Sequence, residues 1–299
     1  MASMFLRKLL LPAALFCVSL HAQQVPAAVA TDPVPEKAFP ASTSTFLLPS
    51  HGEKLNALVY IAAGAGPHPI VVLLHGFPGN EKNLDVAQAI RRAGWDVLYF
   101  NYRGSWGSPG GFSFTHAMED AQAAVDYLRQ PANAKALRSD PKNIVLIGHS
   151  MGGMIAANVG ARDPGVRAVG LISAANMGGR TLPAVRAGHS EAAVAPTAKN
   201  LEAEGIAPLA GCTPESLARD LITHAAEWNM PDLGPKLAPR PMLVITSDDG
   251  LASGTDPLVA DLRAHKNERV TTLHLATDHV YSGQRIALET AVVNWLGTL

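Results

Sequence analysis

The sequence has few charged residues and no excess of either sign. Of its 299 residues, 16% are Asp, Glu, Lys or Arg, and the 24 basic and 25 acidic residues give a formal net charge of −1. The basic surface typical of nucleic-acid-binding proteins is missing, so we expect no nucleic-acid partner. Because 47% of the residues are hydrophobic, the composition also excludes an intrinsically disordered chain. The length suits one large domain or two small ones.

Cysteine and cofactor-binding motifs are equally scarce. The sequence contains two cysteines, Cys17 and Cys212. It has no phosphate-binding loop, no Gly-x-Gly-x-x-Gly after a strand and no His-Glu-x-x-His. We therefore expect neither a metal nor an organic cofactor. A chain of this length buries enough surface to be stable without a disulfide bond.

A hydrophobic run long enough to cross a membrane is also lacking. The apolar segment Leu9–Leu20 is shorter than the roughly 20 residues that span a bilayer. Two basic residues precede it and Ala22 follows, which is the order of a secretory signal peptide over residues 1–22. Its cleavage would remove Cys17 and take the net charge from −1 to −3. We expect an exported protein, periplasmic or secreted, without stable membrane association after cleavage; an N-terminal membrane anchor is the alternative.

Strand-like segments dominate the rest of the chain, after an Ala-, Pro-, Ser- and Thr-rich segment (23–43) that we interpret as a flexible linker. Their continuous hydrophobicity is typical of a parallel sheet covered on both faces. The predicted strands are Ser44–Leu48, Ala57–Ile61, Ile70–Leu74, Trp95–Phe100, Ile144–Ile147, Val169–Ile172, Met242–Thr246 and Val270–Leu275. The first two flank a turn and predict an antiparallel hairpin.

Helical periodicity separates these strands. The predicted helices are Asn83–Ala93, Phe114–Leu128, Met154–Val159, Pro214–Trp228 and Ile286–Leu296, with Pro131 ending the second of them. The alternation lapses between about residues 174 and 239, which we interpret as an insertion between two sheet strands. The sequence thus predicts an α/β domain over residues 44–299, with a mostly parallel central sheet and helices on both faces.

The most informative motif is Gly-x-Ser-x-Gly at residues 148–152, directly after a predicted strand and before a helical pattern. In this context the motif predicts a sharp turn that exposes the Ser150 hydroxyl as a nucleophile. Side chains at Gly148 and Gly152 would crowd the neighbouring elements. The alternative is an ordinary Gly/Ser turn without a catalytic role.

A nucleophilic serine needs a base and a group that orients the base. In chain order, Ser150, Asp249 and His279 each follow a predicted strand, at the sheet edge where active sites of open α/β sheets lie. Asp248 remains an alternative to Asp249. Other histidines compete with His279 but fall in less suitable positions: His224, His265 and His274.

Two backbone amides are expected to form an oxyanion hole, one from Met151 and one from Phe77 in the loop after an earlier strand. The alternative is that this loop is only a Gly/Pro turn. The side chains and backbone predicted to line the substrate pocket are His75, Gly76, His149, Met177 and Trp228.

Taken together, these motifs resemble those of the α/β-hydrolase fold family, over about residue 44 to the C-terminus. The segment Arg103–Ser108 resembles one found in its serine esterase and dipeptidyl-peptidase-like branch, where the arginine is a buried anchor. The resemblance implies a Ser150–His279–Asp249 triad, an acyl-enzyme intermediate and a cap at residues 174–239. The resemblance does not identify the substrate.

We expect a serine hydrolase that cleaves carboxylic esters of small or medium acyl groups. The main alternative is a peptidase or amidase with the same triad, for which an amine-binding acid in the cap would be needed: Glu202, Glu204 or Glu227. Carbon–carbon bond hydrolysis and a non-catalytic binding protein are remoter alternatives. The expected partner is a small-molecule ester or amide.

Overall fold

An antiparallel hairpin leads into a parallel sheet in the computed structural model, which describes residues 24–299. The sheet has eight strands in the order β1-β2-β4-β3-β5-β6-β7-β8. Only β2 pairs antiparallel, with β1 and with β4; the other pairs are parallel. The strands are β1 Ser42–Ser50, β2 Glu53–Ile61, β3 His68–Leu74, β4 Asp96–Phe100, β5 Ser139–His149, β6 Ala168–Ile172, β7 Met242–Thr246 and β8 Val270–His274.

Helices cover both faces of this sheet. They are α1 Ala27–Ala30, α2 Leu84–Arg92, α3 Phe114–Arg129, α4 Pro131–Leu137, α5 Met151–Arg162, α6 Met177–Arg186, α7 Ser190–Glu204, α8 Pro214–Thr223, α9 Gly234–Leu237, α10 Ala252–Ala264 and α11 Arg285–Leu296. A 3₁₀ turn, Met230–Leu233, precedes α9. Helices α2 and α11 pack on one face, and α3, α5 and α10 pack on the other.

Strand β3 shows why the central strands are uninterrupted hydrophobic runs. Ile70, Val72 and Leu74 belong to the core under α3 and α5. Val71 and Leu73 belong to the core under α2 and α11. Because successive side chains point to opposite faces, both sets must be apolar when both faces are covered. The predicted α/β class, with its N-terminal hairpin and its insertion between strands, is confirmed.

The segment between β6 and β7 carries α6 to α9 and rests on the loop after β4. The Trp106 amide donates to the Pro208 carbonyl at 3.0 Å, and the Ala210 amide donates to the Gly104 carbonyl at 2.7 Å. Backbone hydrogen bonds therefore fix the inserted helices to the sheet domain.

Arg103 anchors this supporting loop from inside. Its backbone amide lies 2.8 Å from Asp120 Oδ2 and its Nε lies 2.7 Å from Asp120 Oδ1. The Ser50 hydroxyl donates to the same carboxylate at 2.6 Å. Arg103 and Asp120 are buried, so each needs the other as a counter-ion. The arginine is a structural anchor of the loop, as the sequence indicated.

Several element boundaries differ from the predicted ones. Helix α3 ends at Arg129, and Pro131 then begins α4, because the fixed φ of proline suits a first helical turn. Strand β5 begins at Ser139, since its polar first half still pairs with the start of β3. Helix α8 ends at Thr223, and the chain turns so that Trp228 stacks on His224.

The N-terminal part of the described chain, from residue 24 to β1, contains the short helix α1, which lies against α2 and α11. The predicted signal peptide (1–22) and Cys17 lie outside the described residues. Within residues 24–299, none of the helices has the length and apolar character required to cross a membrane.

Candidate active site

Ser150 occupies a sharp turn between β5 and α5. Its φ of 56° and ψ of −121° lie in a region that non-glycine residues rarely adopt. The Ser150 amide donates to the Ile172 carbonyl at 3.0 Å, and its own carbonyl accepts from the Ala175 amide at 3.0 Å. The surrounding strands thus hold a strained backbone in place. As the N-cap of α5, Ser150 lies where unpaired amides and the helix dipole favour negative charge.

Glycine is required on both sides of this turn by close backbone approach. A Cβ on Gly148 would lie 2.0 Å from the Gly152 carbonyl oxygen, and a Cβ on Gly152 would lie 2.1 Å from the Leu74 carbonyl oxygen. The loop after β3 approaches as closely, since a Cβ on Gly76 would lie 2.9 Å from the Ser150 Cβ. The Gly-x-Ser-x-Gly pattern therefore reflects the packing of α5 against the ends of β3 and β5.

His279 and Asp249 are paired. The Nδ1 atom of His279 lies 2.7 Å from Asp249 Oδ2. The Asp249 side chain is 6% exposed and the His279 side chain 37%. Asp248 instead lies 3.1 Å from His274 Nε2, on the exposed edge of the sheet. The structure places Asp249, and not Asp248, beside His279.

The Asp249 carboxyl is held in its ionised form. Burial raises its pKa, but hydrogen bonds from His279 and from the Leu251 amide lower it, and the balance lies below the ordinary value. Asp249 Oδ1 accepts the Leu251 amide at 2.9 Å. With one oxygen held by the backbone, the other is directed at the imidazole, so that Nδ1 carries the proton and Nε2 remains available as a base.

Ser150 and His279 line the same cavity. Within residues 24–299, the structure contains no hydrogen bond between the Ser150 hydroxyl and the imidazole. Such bonds are often long or poorly aligned in unliganded enzymes and tighten when substrate binds. The structure thus brings the three predicted residues to one sheet edge, with the Asp–His contact formed.

His149 packs beneath His279. The centres of the two rings are 4.6 Å apart, and His149 Nε2 donates to the His279 carbonyl oxygen at 2.9 Å. Burial, together with the neighbouring His279, lowers the pKa of His149 to about 4. This neutral ring fixes the backbone of the loop that carries His279.

The two amides predicted to form an oxyanion hole both border the cavity, in Phe77 and Met151. Neither amide donates a hydrogen bond in the described part of the chain. Met151 is the first residue of α5, and amides in the first turn of a helix have no hydrogen-bond partner within the helix. The Met151 amide is therefore free. Two unpaired donors beside a strained serine are suited to hold a developing oxyanion.

The cavity has a volume of about 400 Å³ and lies between the sheet edge and the inserted helices. Of the residues predicted to line it, Gly76, His149 and Met177 do so. His75 is instead buried behind the loop, where its Nδ1 donates to the Gly76 carbonyl at 2.8 Å. Trp228 is buried against His224 and borders a different groove.

The sequence analysis did not assign three charged residues to the cavity. Glu81 from the loop after β3, Arg180 from α6 and Glu204 from the end of α7 all line it. Glu204 is one of three acids considered for the cap, but nothing distinguished it, because its direction depends on how α7 packs. By contrast, Leu251 and Val280 also line the cavity and could have been found from their adjacency to the predicted loops.

No group of three or more His, Cys, Asp and Glu side chains in residues 24–299 is arranged to hold a metal ion. Around the cavity lie a strained serine, a histidine held by a carboxylate, and two free amides.

Comparison with known proteins identifies the family of this chain. The model of the alpha/beta hydrolase family matches residues 71–287. The chain belongs to this family, as its motifs indicated. A curated relative, an uncharacterised protein of Mycobacterium tuberculosis, is 28% identical over 135 residues, covering 44% of this chain and 46% of the relative. The match thus spans about half the length of this relative.

Solved structures share the fold at low identity. A carboxylesterase cloned from a metagenomic library is 23% identical, with a TM-score of 0.62 over 87% of this chain and 90% of the other. A protein of Butyrivibrio proteoclasticus, solved with ferulic acid bound, is 20% identical, with a TM-score of 0.60 over 84% of this chain and 98% of the other.

Proposed function

We propose that the protein is a serine hydrolase that cleaves carboxylic esters of small or medium acyl groups. The observation that carries the proposal is the strained Ser150, which shares one cavity with an imidazole held by Asp249. The solved structures of the same fold include esterases, which supports an ester, in preference to another bond, as the bond that is cleaved.

The chemistry follows from the roles that the geometry permits. His279 Nε2 takes the proton of Ser150 as its oxygen attacks the carbonyl carbon of the ester. The Phe77 and Met151 amides then hold the oxyanion, and each such donor contributes roughly 2.7–4 kcal/mol to the transition state. His279 returns the proton to the leaving alcohol, and an acyl-enzyme remains. Water activated by His279 releases the acid, while Asp249 stays ionised and orients the ring.

A screen of chromogenic esters and matched amides tests the proposal. We expect hydrolysis of p-nitrophenyl esters with short acyl chains, and a decline as the acyl group outgrows a cavity of about 400 Å³. Cleavage of matched p-nitroanilides at equal or higher kcat/KM would contradict the assignment to esters.

A peptidase or amidase is the second candidate, because one acid of the cap does face the cavity. Glu204 lines it, whereas Glu227 lies elsewhere and pairs with Arg162 at 2.8 Å. Glu204 is exposed at the cavity, and desolvation by the surrounding protein raises its pKa against the opposing effect of Arg180 and His279. A carboxylate in this position could receive the amino group of an aminoacyl substrate.

A further inference from the structure

Three buried hydroxyls form a cluster beside Asp249. They belong to Ser173, which follows β6, to Ser247, which follows β7, and to Tyr281, two residues after His279. Ser173 Oγ lies 2.9 Å from Ser247 Oγ and 2.8 Å from the Tyr281 hydroxyl. The exposed fractions of the three residues are 1%, 2% and 0%. This hydroxyl cluster thus joins two strand ends to the loop that carries His279.

Two of the three residues have a strained backbone. The φ angle is 41° at Ser173 and 59° at Tyr281, both in the region that favours glycine. Strain of this kind is unfavourable and persists only where the surroundings enforce it. Strained residues concentrate at functional sites, and Ser150, at 56°, lies in the same site.

Proton counting allows two directions for the hydroxyl cluster. Burial raises the pKa of Tyr281 to about 12, so its hydroxyl keeps its proton. If Tyr281 donates to Ser173 and Ser173 donates to Ser247, both contacts below 3 Å are used. The Ser247 proton is then free for the Asp249 carboxylate. If Tyr281 instead donates to the Ile245 carbonyl, at 3.3 Å, and both shorter contacts are kept, Ser247 donates to Ser173 and no proton remains for Asp249. The first direction ends on an anion, which is the stronger acceptor.

The effect on Asp249 is consistent with this direction. The Ser173 and Ser247 hydroxyls help to lower the pKa of the carboxyl, although neither reaches the full distance and angle of a hydrogen bond to it. A chain of hydroxyl donors is polarised by a terminal anion, and each bond strengthens the next.

We propose that Ser173, Ser247 and Tyr281 are positioning residues that hold the Asp249 carboxylate ionised and aligned with His279. The inference rests on the proposed function, in which Asp249 orients the base. The cluster acts on the reaction through Asp249 and does not line the cavity itself.

Kinetics of Ser247→Ala and Tyr281→Phe in the full chain test this inference. We expect kcat for a p-nitrophenyl ester to fall about 10-fold while KM stays unchanged, since the lost bonds support a charged group and not the substrate. The acid limb of kcat/KM should move to higher pH. When fewer hydroxyls stabilise the Asp249 carboxylate, this carboxylate attracts protons more strongly, so the Asp249–His279 pair becomes protonated, and the base is lost, at a higher pH. The other titratable or charged groups around the pair, Glu81, His149, Arg180 and Glu204, are unchanged in both variants.

Tyr99→Phe is the matched control. Tyr99 is also a buried tyrosine, and its hydroxyl has one partner, Asn101 Oδ1 at 2.8 Å. Removal of this hydroxyl should change neither kcat nor the pH of the acid limb. Parent values for kcat and the acid limb in folded Ser247→Ala and Tyr281→Phe would overturn the inference, even if their melting temperatures fell. An inactive parent would reject the proposed function itself, which is a different result.

Discussion

The Asp249 carboxylate and the His279 imidazole lie 2.7 Å apart, whereas the adjacent Asp248 pairs with a different histidine at the exposed edge of the sheet. Two neighbouring acids on one turn thus have separate partners. We expect Asp249→Asn to lower kcat for ester hydrolysis by roughly 10³–10⁴-fold, because the asparagine no longer imposes the correct tautomer.

Asp248→Asn provides the control for that variant. Its pair with His274 is exposed, and exposed pairs contribute little, so kcat/KM should remain close to the parent value. A larger loss in Asp248→Asn than in Asp249→Asn would show that the acid has been assigned wrongly.

The charge of Glu204 should influence which acyl groups are accepted. For esters with an ammonium in the acyl group, Glu204→Gln should lower kcat/KM about fivefold relative to neutral isosteres, the effect of one charge at close range in water. Arg180→Gln should raise kcat/KM for the esters with an ammonium group relative to the neutral isosteres. Glu202→Gln is the control, since this residue is on the same helix and does not line the cavity. Equal losses for charged and neutral esters would exclude charge recognition by Glu204.

Asp96 should make the folded state less stable as the pH rises. It is fully buried, and burial raises its pKa to about 7. Between the ordinary pKa of an aspartate and this value, the folded state binds the proton more tightly than the unfolded state, so stability falls with rising pH. Asp96→Asn should remove this loss of folding stability at higher pH. In urea unfolding, the variant should therefore gain stability relative to the parent from pH 5 to pH 8; a constant difference would contradict this.

The turn at Ser150 should not tolerate side chains at its glycines. In Gly152→Ala the new Cβ would lie 2.1 Å from a backbone oxygen that cannot move without disturbing β3. We expect a loss of roughly 1–3 kcal/mol or more in the free energy of unfolding. In Gly283→Ala the nearest atom is 3.9 Å away, so this control should unfold like the parent. Similar stabilities would show that the close packing is not needed.

The fold and the order of the site residues could be predicted from the sequence because each has a local signature. Strand β3 shows an uninterrupted apolar run, and Ser150 lies between glycines that the turn requires. The choice between Asp248 and Asp249 could not be settled in this way, because both follow the same strand. It depends on which side of the turn faces His279, which only the packed loops determine.

Residues whose role depends on contacts between elements distant in the sequence had no local signature. The size of Trp228 and its position in the cap favour a pocket residue, yet it packs against His224. Arg180 and Glu204 line the cavity because α6 and α7 fold over it, and Ser173 and Tyr281 meet only after β6 and the His279 loop have packed. Such contacts are set by tertiary structure.

Labelling with a fluorophosphonate tests the central claim most directly, since this reagent reacts with serines that a nearby base has activated. After digestion, mass spectrometry should find one adduct, on Ser150, and His279→Ala should lose most of it while remaining folded. An unlabelled Ser150 in the folded parent, or a stable adduct confined to another residue, would contradict the account.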